Sequence, residues 1–329
     1  MKALLSVREL RVEFATSGGV VTAVDGASFE VAAGETVALL GESGSGKSVT
    51  AQAVMGIVPK PAGRIASGSI TYDGRDLLTP GAAKGLRGRE IAMVFQDPLS
   101  SLNPVFRVGA QIGEMFRRHR GASRREARVA ALDLMKRVGI PAASKRLDDY
   151  PHQFSGGMRQ RVMIAMALAL SPRLLIADEP TTALDVTVQA QIMDLLARLQ
   201  SEEGMSLVLI THDLGVVADV ADRVVLMYAG RVVETGPIRE VYEHCGHPYT
   251  AGLMGSVPVL DGPRDRLTPI QGSPPDLLSL PTGCSFHPRC RYADHLCTTD
   301  QPDLRPLPTR PPLHQAACHH PEGVLSNAH

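Results

Sequence analysis

The 329-residue sequence lacks the features of a nucleic-acid-binding protein. Tryptophan is absent and aromatic residues make up only 4%, which disfavours the stacking surfaces that hold single-stranded nucleic acids. Lysine plus arginine and aspartate plus glutamate both number 34, so the formal net charge is zero. Nucleic-acid-binding proteins normally carry a basic excess. We therefore expect no nucleic acid among the partners.

The sequence also lacks a long apolar run. VMIAMALAL, the longest such run near the middle of the chain, is about half of the roughly 20 residues that a membrane-spanning helix needs. The N-terminal MKALLSVRELRVEF has charges between its apolar residues, which favours an alternating strand over a signal peptide. We expect a protein that is made and kept in the cytosol.

Cysteine is missing from the first 244 residues, and proline is sparse there. All five cysteines lie from Cys245 onward, and fourteen of the 24 prolines lie from Pro248 onward. Because proline interrupts helices and central strands, we predict a domain boundary near residue 255 and an irregular extension over 256–329. In a reducing cytosol, the clustered cysteines indicate metal or redox chemistry rather than disulfides.

Residues 1–255 alternate short β-branched runs with helical patterns, which predicts an α/β domain. ETVALL at 35–40, RLLIAD at 173–178 and SLVLIT at 206–211 are nearly continuous apolar runs. Such runs suit strands of a sheet that is buried on both faces. Residues 99–165 have helical spacing and no comparable strand, which predicts a helical subdomain inserted between two strands of the sheet.

A glycine-rich segment, GESGSGKS at 41–48, follows ETVALL and precedes a helical pattern. It matches the phosphate-binding pattern G-x-x-x-x-G-K-S/T at every fixed position. Its glycines allow successive N–H groups to point at phosphate oxygens, Lys47 can reach the β- and γ-phosphates, and Ser48 can bind Mg²⁺. The alternative is a structural glycine turn. The nucleotide-binding residues predicted here are Gly41, Glu42, Ser43, Gly44, Ser45, Gly46, Lys47, Ser48 and Val49.

Two further strands end in residues suited to phosphate chemistry. LLIADEP at 174–180 places Asp178 at the carboxyl end of a strand, where ligands of α/β sheets bind, and Asp178 can hold magnesium. Glu179 follows as the candidate general base for the attacking water. In THD at 211–213, His212 can hydrogen-bond the γ-phosphate and the water. Solvated acids and a structural histidine are the alternatives.

FSGGMRQR at 154–161 resembles a second phosphate site. Two glycines follow a serine directly before an apolar helical pattern. Bare backbone N–H groups at the positive end of a helix dipole bind anions. The chain therefore carries a complete phosphate site and part of a second one.

These motifs, with Gln96 in VFQDP and TALD at 182–185, resemble in order and spacing those of the ATP-binding subunit of ABC transporters. The resemblance covers roughly residues 5–250. It implies a P-loop ATPase with a RecA-like core, a β-subdomain and an inserted helical subdomain. FSGGMRQR and QDPLSSLNP resemble the branch of bacterial oligopeptide and dipeptide importers. Phe154 and Met158 depart from the common LSGGQ signature.

In this family, two ATP-binding domains meet head to tail, and each ATP lies between the phosphate loop of one and the SGG segment of the other. The resemblance therefore implies that Ser155, Gly156, Gly157 and Met158 contact ATP bound to a partner chain. Asp185 would lie at the dimer seam, and Phe14 would stack on adenine, with a core-facing strand aromatic as the alternative. Magnesium would be bound through Ser48, Gln96 and Asp178.

The C-terminal segment that contains the cysteines also resembles the C-terminal extension of proteins in this branch. In some members, this extension resembles a 4Fe-4S site. The spacing of the cysteines lacks the close Cys-x2-Cys pairs of zinc ribbons. A cluster held by Cys284, Cys290, Cys297 and Cys318 is expected. The alternatives are Zn²⁺, with His287, His295 or His319 as substitute ligands, and unmetallated buried thiols. Cys245 is expected to be an ordinary buried residue.

The resemblance implies an ATP-hydrolysing motor for import of dipeptides or oligopeptides. The expected partners are a second, related ATPase subunit, two transmembrane permease subunits and an extracytoplasmic substrate-binding protein. The chain would lie peripherally on the cytoplasmic face of the bacterial plasma membrane. The alternatives are a soluble ABC ATPase that acts on nucleic acid or ribosomes, and a regulatory module that binds ATP without hydrolysis.

Overall fold

The computed structural model describes residues 3–182, 184–256 and 270–325. The chain divides into two compact units. The first unit comprises 1–32, 36–79 and 211–329, and the second comprises 33–35 and 80–210. Residue 183 of the TALD motif, and residues 257–269 and 326–329 of the predicted extension, lie outside the described residues.

The strands formed by the described residues are β1 (Ala3–Thr16), β2 (Gly19–Ala32), β3 (Thr36–Leu40), β4 (Gly63–Tyr72), β5 (Arg75–Asp76), β6 (Ile91–Val94), β7 (Leu174–Asp178), β8 (Ser206–Thr211), β9 (Arg223–Tyr228), β10 (Arg231–Pro237), β11 (Arg305–Pro306) and β12 (Gln315–Ala316).

The α-helices are α1 (Lys47–Met55), α2 (Pro98–Ser101), α3 (Val108–Arg120), α4 (Arg124–Arg137), α5 (Ala143–Arg146), α6 (Gly156–Leu168), α7 (Val186–Glu203), α8 (Leu214–Val217), α9 (Ile238–Glu243), α10 (Pro248–Met254), α11 (His295–Thr299) and α12 (Pro321–Leu325). In the part of the chain that the structure describes, two 3₁₀ helices span Pro151–Gln153 and His287–Arg289.

The first unit contains an antiparallel sheet in the order β2-β1-β4-β5. In β1, Leu5 and Val7 are buried, and so are Leu10 and Val12, which lie at the opposite parity. The pairing register with β2 shifts between Val7 and Leu10, where Glu9 adopts a φ of 47°. This bulge keeps both apolar pairs on the buried face, because one extra residue reverses the alternation of side chains.

The first unit also contains β3, which is buried at all five positions and pairs in parallel with β9. Antiparallel pairs then join β9 to β10, β10 to β12, and β12 to β11. The short strands of the C-terminal segment therefore extend a sheet whose inner strand leads into the glycine-rich segment.

The second unit contains three parallel strands, with β7 between β6 and β8. Every residue of these strands is buried, as expected for a parallel sheet that is covered on both faces. The strands predicted from ETVALL, RLLIAD and SLVLIT are therefore confirmed as β3, β7 and β8.

Between β6 and β7, residues 95–173 form helices and turns, with no strand in this fully described range. Helices α3 and α4 pack closely, since a Cβ at Gly113 would lie 3.3 Å from the carbonyl oxygen of Ala127. Helix α4 begins with a capping box in which Ser123 and Glu126 bond each other's backbone N–H groups. The helices fall in the range predicted for the helical subdomain.

Among the described residues, none of the helices combines the length and apolar content needed to cross a bilayer.

Candidate nucleotide-binding site

The glycine-rich segment 41–48 connects β3 to α1 in the first unit and requires glycine at two positions. Gly41 has a φ of 150° and Gly46 a φ of 102°. A Cβ at Gly41 would lie 2.2 Å from the carbonyl oxygen of Met227, and one at Gly46 would lie 2.6 Å from that of Ala23. Any side chain here would collide with backbone, so the segment follows the tight path that a phosphate-binding loop needs.

Lys47 begins helix α1, and its side chain is buried inside the loop. Its Nζ donates to the carbonyl oxygens of Gly41 at 2.7 Å and Glu42 at 2.9 Å. The N-cap residue, Gly46, has no capping side chain. A helix start without a capping side chain, together with a buried lysine, creates a positive environment suited to phosphate oxygens.

The second residue of the loop is held by two side chains from later in the chain. The backbone N–H of Glu42 donates to the Tyr249 hydroxyl at 2.7 Å, and its carboxylate accepts two hydrogen bonds from the Arg289 guanidinium. Pairing with Glu42 raises the pKa of Arg289 above its ordinary value, and burial raises the pKa of Tyr249. Sequence motifs gave no sign of either contact.

In the second unit, Asp178 ends β7 and is buried, and Glu179 follows in a left-handed conformation with a φ of 43°. The Oε2 atom of Glu179 accepts hydrogen bonds from Gln96 Nε2 and Thr182 Oγ1, both at 2.8 Å. The structure thus brings together the predicted base and the glutamine that is predicted to bind magnesium. It also adds Thr182, the first residue of the TALD motif, to which the sequence alone assigned no role.

The FSGG segment lies at the start of α6 in the second unit. Ser155 is the N-cap and accepts a hydrogen bond from the N–H of Met158 at 3.4 Å. A Cβ at Gly157 would lie 2.5 Å from Val188 Cγ1, so α7 requires glycine at this position. Ser155 and Gly156 are exposed, and Gly157 and Met158 are half-buried. The helix N-terminus therefore presents its serine and first glycine outward.

Asp185 is exposed and caps the start of α7, where its carboxylate accepts a hydrogen bond from the N–H of Val188 at 2.9 Å. His212 lies in the first unit, is exposed, and follows the end of β8. Phe14 is a half-buried residue of β1, and its ring carbon Cε1 lies 2.7 Å from where a Cβ at Gly63 would be. The Phe14 ring therefore packs over the neighbouring strand.

The four cysteines of the predicted cluster line one small pocket in the first unit: Cys284, Cys290, Cys297 and Cys318. All are free thiols. Burial raises the pKa of each of them, and raises that of Cys318 to about 12. Cys245 lies apart from them and is buried, and its pKa is also raised to about 12 by burial.

The sulfur atoms of this pocket have a donor environment that fits an iron–sulfur cluster. The backbone N–H of Tyr292 donates to Cys290 Sγ at 3.3 Å, and that of His320 donates to Cys318 Sγ at 3.4 Å. Hydrogen bonds to sulfur are typical of cluster ligands. A ring nitrogen of His287 and one of His319 lie 3.0 Å from backbone carbonyl oxygens.

The spacing of the sulfurs fits a single zinc ion less well. With Zn–S bonds of about 2.3 Å, tetrahedral sulfurs lie roughly 3.8 Å apart. Across the described ranges, the group of three or more metal-ligating side chains whose donor atoms lie within 4.8 Å of one another is Asp294, Cys297 and His320. The four sulfurs are therefore spread more widely than one zinc ion requires.

Two protein families match the sequence. The model of the family described as ABC transporter matches residues 24–182, and that of the family described as oligopeptide/dipeptide transporter, C-terminal region, matches residues 233–297. A dipeptide transport ATP-binding protein of Bacillus subtilis is 53% identical over 292 residues, which cover 88% of this chain and 87% of that protein. The chain belongs to the ATP-binding proteins of peptide ABC transporters.

Other members of this family of peptide-transporter ATP-binding proteins are similarly close. An oligopeptide transport ATP-binding protein of Bacillus subtilis is 51% identical over 304 residues, covering 92% of this chain and 85% of that protein. The expectation drawn from the sequence motifs, an ATP-binding subunit of the peptide-importer branch, is confirmed.

Solved structures share the fold of this ABC protein. A dimeric ATP-binding cassette in a post-hydrolysis state with ADP and Pi aligns with a TM-score of 0.64 and 28% identity, covering 71% of this chain and 99% of that one. CbiO1 of Clostridium perfringens, part of the ABC transporter complex CbiONQ, aligns with a TM-score of 0.62 and 32% identity, covering 74% of this chain and 91% of that one. The predicted P-loop ABC fold is confirmed.

Proposed function

We propose that this chain hydrolyses ATP to drive peptide import through separate membrane subunits. One observation carries the proposal. The loop at 41–48 has the glycine-only geometry and buried Lys47 of a phosphate site, in a chain that is 53% identical to a dipeptide transport ATP-binding protein. The absence of a basic excess speaks against the nucleic-acid alternative.

In the proposed site, residues 41–49 bind the phosphates of ATP. Lys47 leaves the carbonyl oxygens of Gly41 and Glu42 and contacts the β- and γ-phosphates. Ser48, Gln96 and Asp178 would hold Mg²⁺, which would neutralise charge on the phosphate oxygens. Phe14 stacks on the adenine. The loop geometry of the first unit supports the roles of residues 41–49. Motif position supports those of Gln96 and Asp178, and family resemblance supports that of Phe14.

Glu179 is proposed as the general base. It accepts a proton from the attacking water, whose oxygen bonds to the γ-phosphorus while the bond to the β–γ bridging oxygen breaks, giving ADP and inorganic phosphate. Gln96 and Thr182 hold the carboxylate through Oε2. Gln96 would therefore contact both the magnesium ion and the proposed base. His212 would orient the water and the γ-phosphate.

The segment Ser155–Met158 is proposed to bind ATP held by a partner subunit. Ser155 and Gly156 are exposed at the start of α6, and Asp185, exposed at the start of α7, would lie at the seam. One solved relative is a dimeric cassette with ADP and Pi. Binding of ATP would close two such chains, and hydrolysis would reopen them and move the permeases.

The proposed partners are a second ATPase subunit, two transmembrane permeases and an extracytoplasmic binding protein. The chain would sit on the cytoplasmic face of the bacterial plasma membrane. The family described for 233–297, oligopeptide/dipeptide transporter, C-terminal region, supports a peptide as cargo.

The cysteine-lined pocket is proposed to hold a 4Fe-4S cluster through Cys284, Cys290, Cys297 and Cys318, and the cluster would staple a segment with little regular structure. Chain purified without oxygen should contain about four iron atoms and show the visible absorption of an iron–sulfur cluster. Serine at any one of the four positions should lower both signals, whereas Cys245→Ser should not. Stoichiometric zinc without iron would contradict the assignment.

The experiment that tests the proposed function is the variant Glu179→Gln. It should bind ATP with parental affinity and hydrolyse it at least about a hundredfold more slowly, because the amide cannot accept the proton. Turnover and nucleotide affinity are measured on the same preparation, with the exposed Glu243→Gln as the matched control. Parental turnover in Glu179→Gln would show that another group is the base.

A further inference from the structure

The cysteine-rich segment contacts the phosphate loop through one arginine. Arg289 lies in the 3₁₀ helix between Cys284 and Cys290. Its Nη1 donates to Glu42 Oε2 at 2.7 Å and its Nη2 to Glu42 Oε1 at 3.0 Å. The Arg289 side chain is only 6% exposed and that of Glu42 26% exposed. A bidentate pair shielded from water is both stronger and more directional than a surface ion pair.

Arg289 is fixed on its other sides as well. Its Nε donates to the carbonyl oxygen of Gln271 at 3.0 Å. The guanidinium carbon lies 5.7 Å from the ring centre of Tyr228 and 5.8 Å from that of Phe286. These contacts fix the orientation of the guanidinium. Its ion pair with Glu42 therefore restrains the position of Glu42 in addition to balancing its charge.

Glu42 has a second anchor on its backbone. The Tyr249 hydroxyl accepts from the Glu42 N–H, and Tyr249 is fully buried. Its ring centre lies 5.6 Å from that of Phe286 and 4.8 Å from that of Tyr228. The same aromatic group thus supports both Tyr249 and Arg289. The loop is therefore held at Glu42, both through the backbone amide and through the side-chain carboxylate.

We infer that Arg289 is a positioning residue through which the cysteine-rich segment holds the phosphate loop in its ATP-binding conformation and so sets the affinity for ATP. The inference rests on the proposed role of residues 41–49 as the phosphate site. Glycine-rich loops lose conformational freedom when they bind a ligand. A loop that is already held at Glu42 loses less conformational freedom when the nucleotide binds, and ATP therefore binds more tightly.

The arrangement also links the cysteine pocket to nucleotide binding. Arg289 directly precedes Cys290, which is one of the residues that line the pocket and whose sulfur accepts a hydrogen bond from the Tyr292 N–H. A change in how Cys290 is held shifts the short helix His287–Arg289 and hence the guanidinium. The cysteine site therefore acts on ATP affinity through this one arginine.

The first test measures Mg²⁺-dependent binding of a fluorescent ATP analogue to the full chain. Arg289→Gln and Glu42→Gln should each weaken binding about tenfold, a coupling of ordinary size for linked sites. The double variant should be no weaker than either single variant, since all three break the same link. Arg289→Lys should recover part of the loss. The neighbouring, exposed Arg291→Gln is the matched control and should bind as the parent does.

A second measurement separates positioning of the loop from a general loss of structure. Amide hydrogen exchange of residues 41–49, without nucleotide, should become faster in Arg289→Gln but stay parental in Arg291→Gln. If Arg289→Gln does not fold, Glu42→Gln still removes the ion pair and leaves the sequence of the cysteine-rich segment unchanged. The affinity of Glu42→Gln for the ATP analogue then tests the inference. Parental affinity and parental exchange in either variant of the pair overturn the inference.

Lys47→Ala distinguishes this inference from the assignment of the phosphate site. If Lys47→Ala binds the analogue as the parent does, the assignment of the site fails and the inference fails with it. If Lys47→Ala abolishes binding while Arg289→Gln does not weaken it, the site stands and only the positioning role is wrong.

The link to the cysteines is tested by Cys290→Ser in two backgrounds. It should weaken binding of the analogue in the parent, and should weaken it no further in Arg289→Gln, because the route through Arg289 is already broken. Equal weakening in both backgrounds, or no weakening in the parent, overturns the role of Arg289 as the connection.

Discussion

At the scale of single residues, the carboxylate of Glu179, the proposed general base, is held in place by its backbone conformation and by two side chains. A non-glycine residue with a φ of 43° costs about 1–2 kcal/mol in backbone strain. The strained conformation directs the side chain to Gln96 and Thr182, and both bonds go to the same oxygen.

His247 is a residue whose burial makes stability depend on pH. It is fully buried, and its Nδ1 accepts a hydrogen bond from the N–H of Tyr249 at the start of α10. Burial lowers the pKa of His247 to about 3 from its usual 6.5. Below pH 6.5 the unfolded chain therefore binds a proton that the folded chain does not, and stability falls as the pH falls from about 6.5 toward 3.

The variant His247→Asn tests this dependence. Asparagine offers a carbonyl oxygen to the Tyr249 N–H and does not titrate. Between about pH 6 and pH 4, the free energy of unfolding should fall less steeply in the variant than in the parent, by about 1.4 kcal/mol per pH unit. Urea unfolding at several pH values measures both slopes. Equal slopes would contradict the idea that His247 is held neutral.

At the scale of elements, one buried carboxylate joins a strand to a helix and to the C-terminal segment. Glu234 of β10 accepts hydrogen bonds from the N–H groups of Gly246 and His247 and from the Thr250 hydroxyl, at and before the start of α10. It also lies 2.8 Å from His314 Nε2, just before β12. Both Glu234 and His314 are fully buried.

Replacing this carboxylate by an amide should destabilise the first unit. In Glu234→Gln, the NH₂ group faces N–H donors and leaves at least one of them without an acceptor, which costs about 2 kcal/mol. Urea unfolding of the full chain measures the loss. Glu243→Gln, at an exposed position of α9, should stay within about 0.5 kcal/mol of the parent. A loss in Glu234→Gln as small as that of Glu243→Gln would contradict the network's role.

Element prediction from sequence worked where local pattern decides the outcome. The apolar runs gave β3, β7 and β8, and the serine–diglycine segment gave the start of α6. The glycine-rich segment joins a strand to a helix as its motif requires. In these cases, burial on both sheet faces requires a run of apolar residues, and a tight backbone path requires glycine. Both requirements are visible within a few neighbouring residues of the sequence.

The contacts that support the phosphate loop could not be predicted in the same way. Tyr249 and Arg289 reach Glu42 from 207 and 247 residues further along the chain. An arginine beside a glutamate, or a tyrosine hydroxyl beside an amide, has no period and no fixed spacing. The sequence indicated that the four cysteines act together but gave no direction toward the loop, because only the tertiary fold brings them near it.

At the scale of the whole molecule, the proposed site is completed by a second chain. Turnover per chain should therefore rise with protein concentration and fall toward zero on dilution, since a chain on its own lacks the partner's Ser155–Met158 segment. A mixture of Lys47→Ala with Gly157→Ala should regain activity that neither variant has alone, because one intact site forms between them. Turnover per chain that stays constant on dilution would contradict the shared site.

The compact units of the fold combine segments from separate parts of the sequence. The described residues of 211–256 and 270–325 belong to the same unit as the N-terminal strands, and proline content predicts a boundary near residue 255. A second family match begins at residue 233, within β10. The boundary near residue 255 stays a prediction.

The pairing of Glu42 with Arg289 has a consequence for hybrid proteins. Exchanging C-terminal segments between related transporters would separate two residues that fit each other, even if the junction fell in a surface loop. A hybrid with a glutamate at position 42 and no arginine at position 289 would retain all the nucleotide-binding motifs and still bind nucleotide weakly. Positions 42 and 289 should therefore be grafted together, as a matched pair.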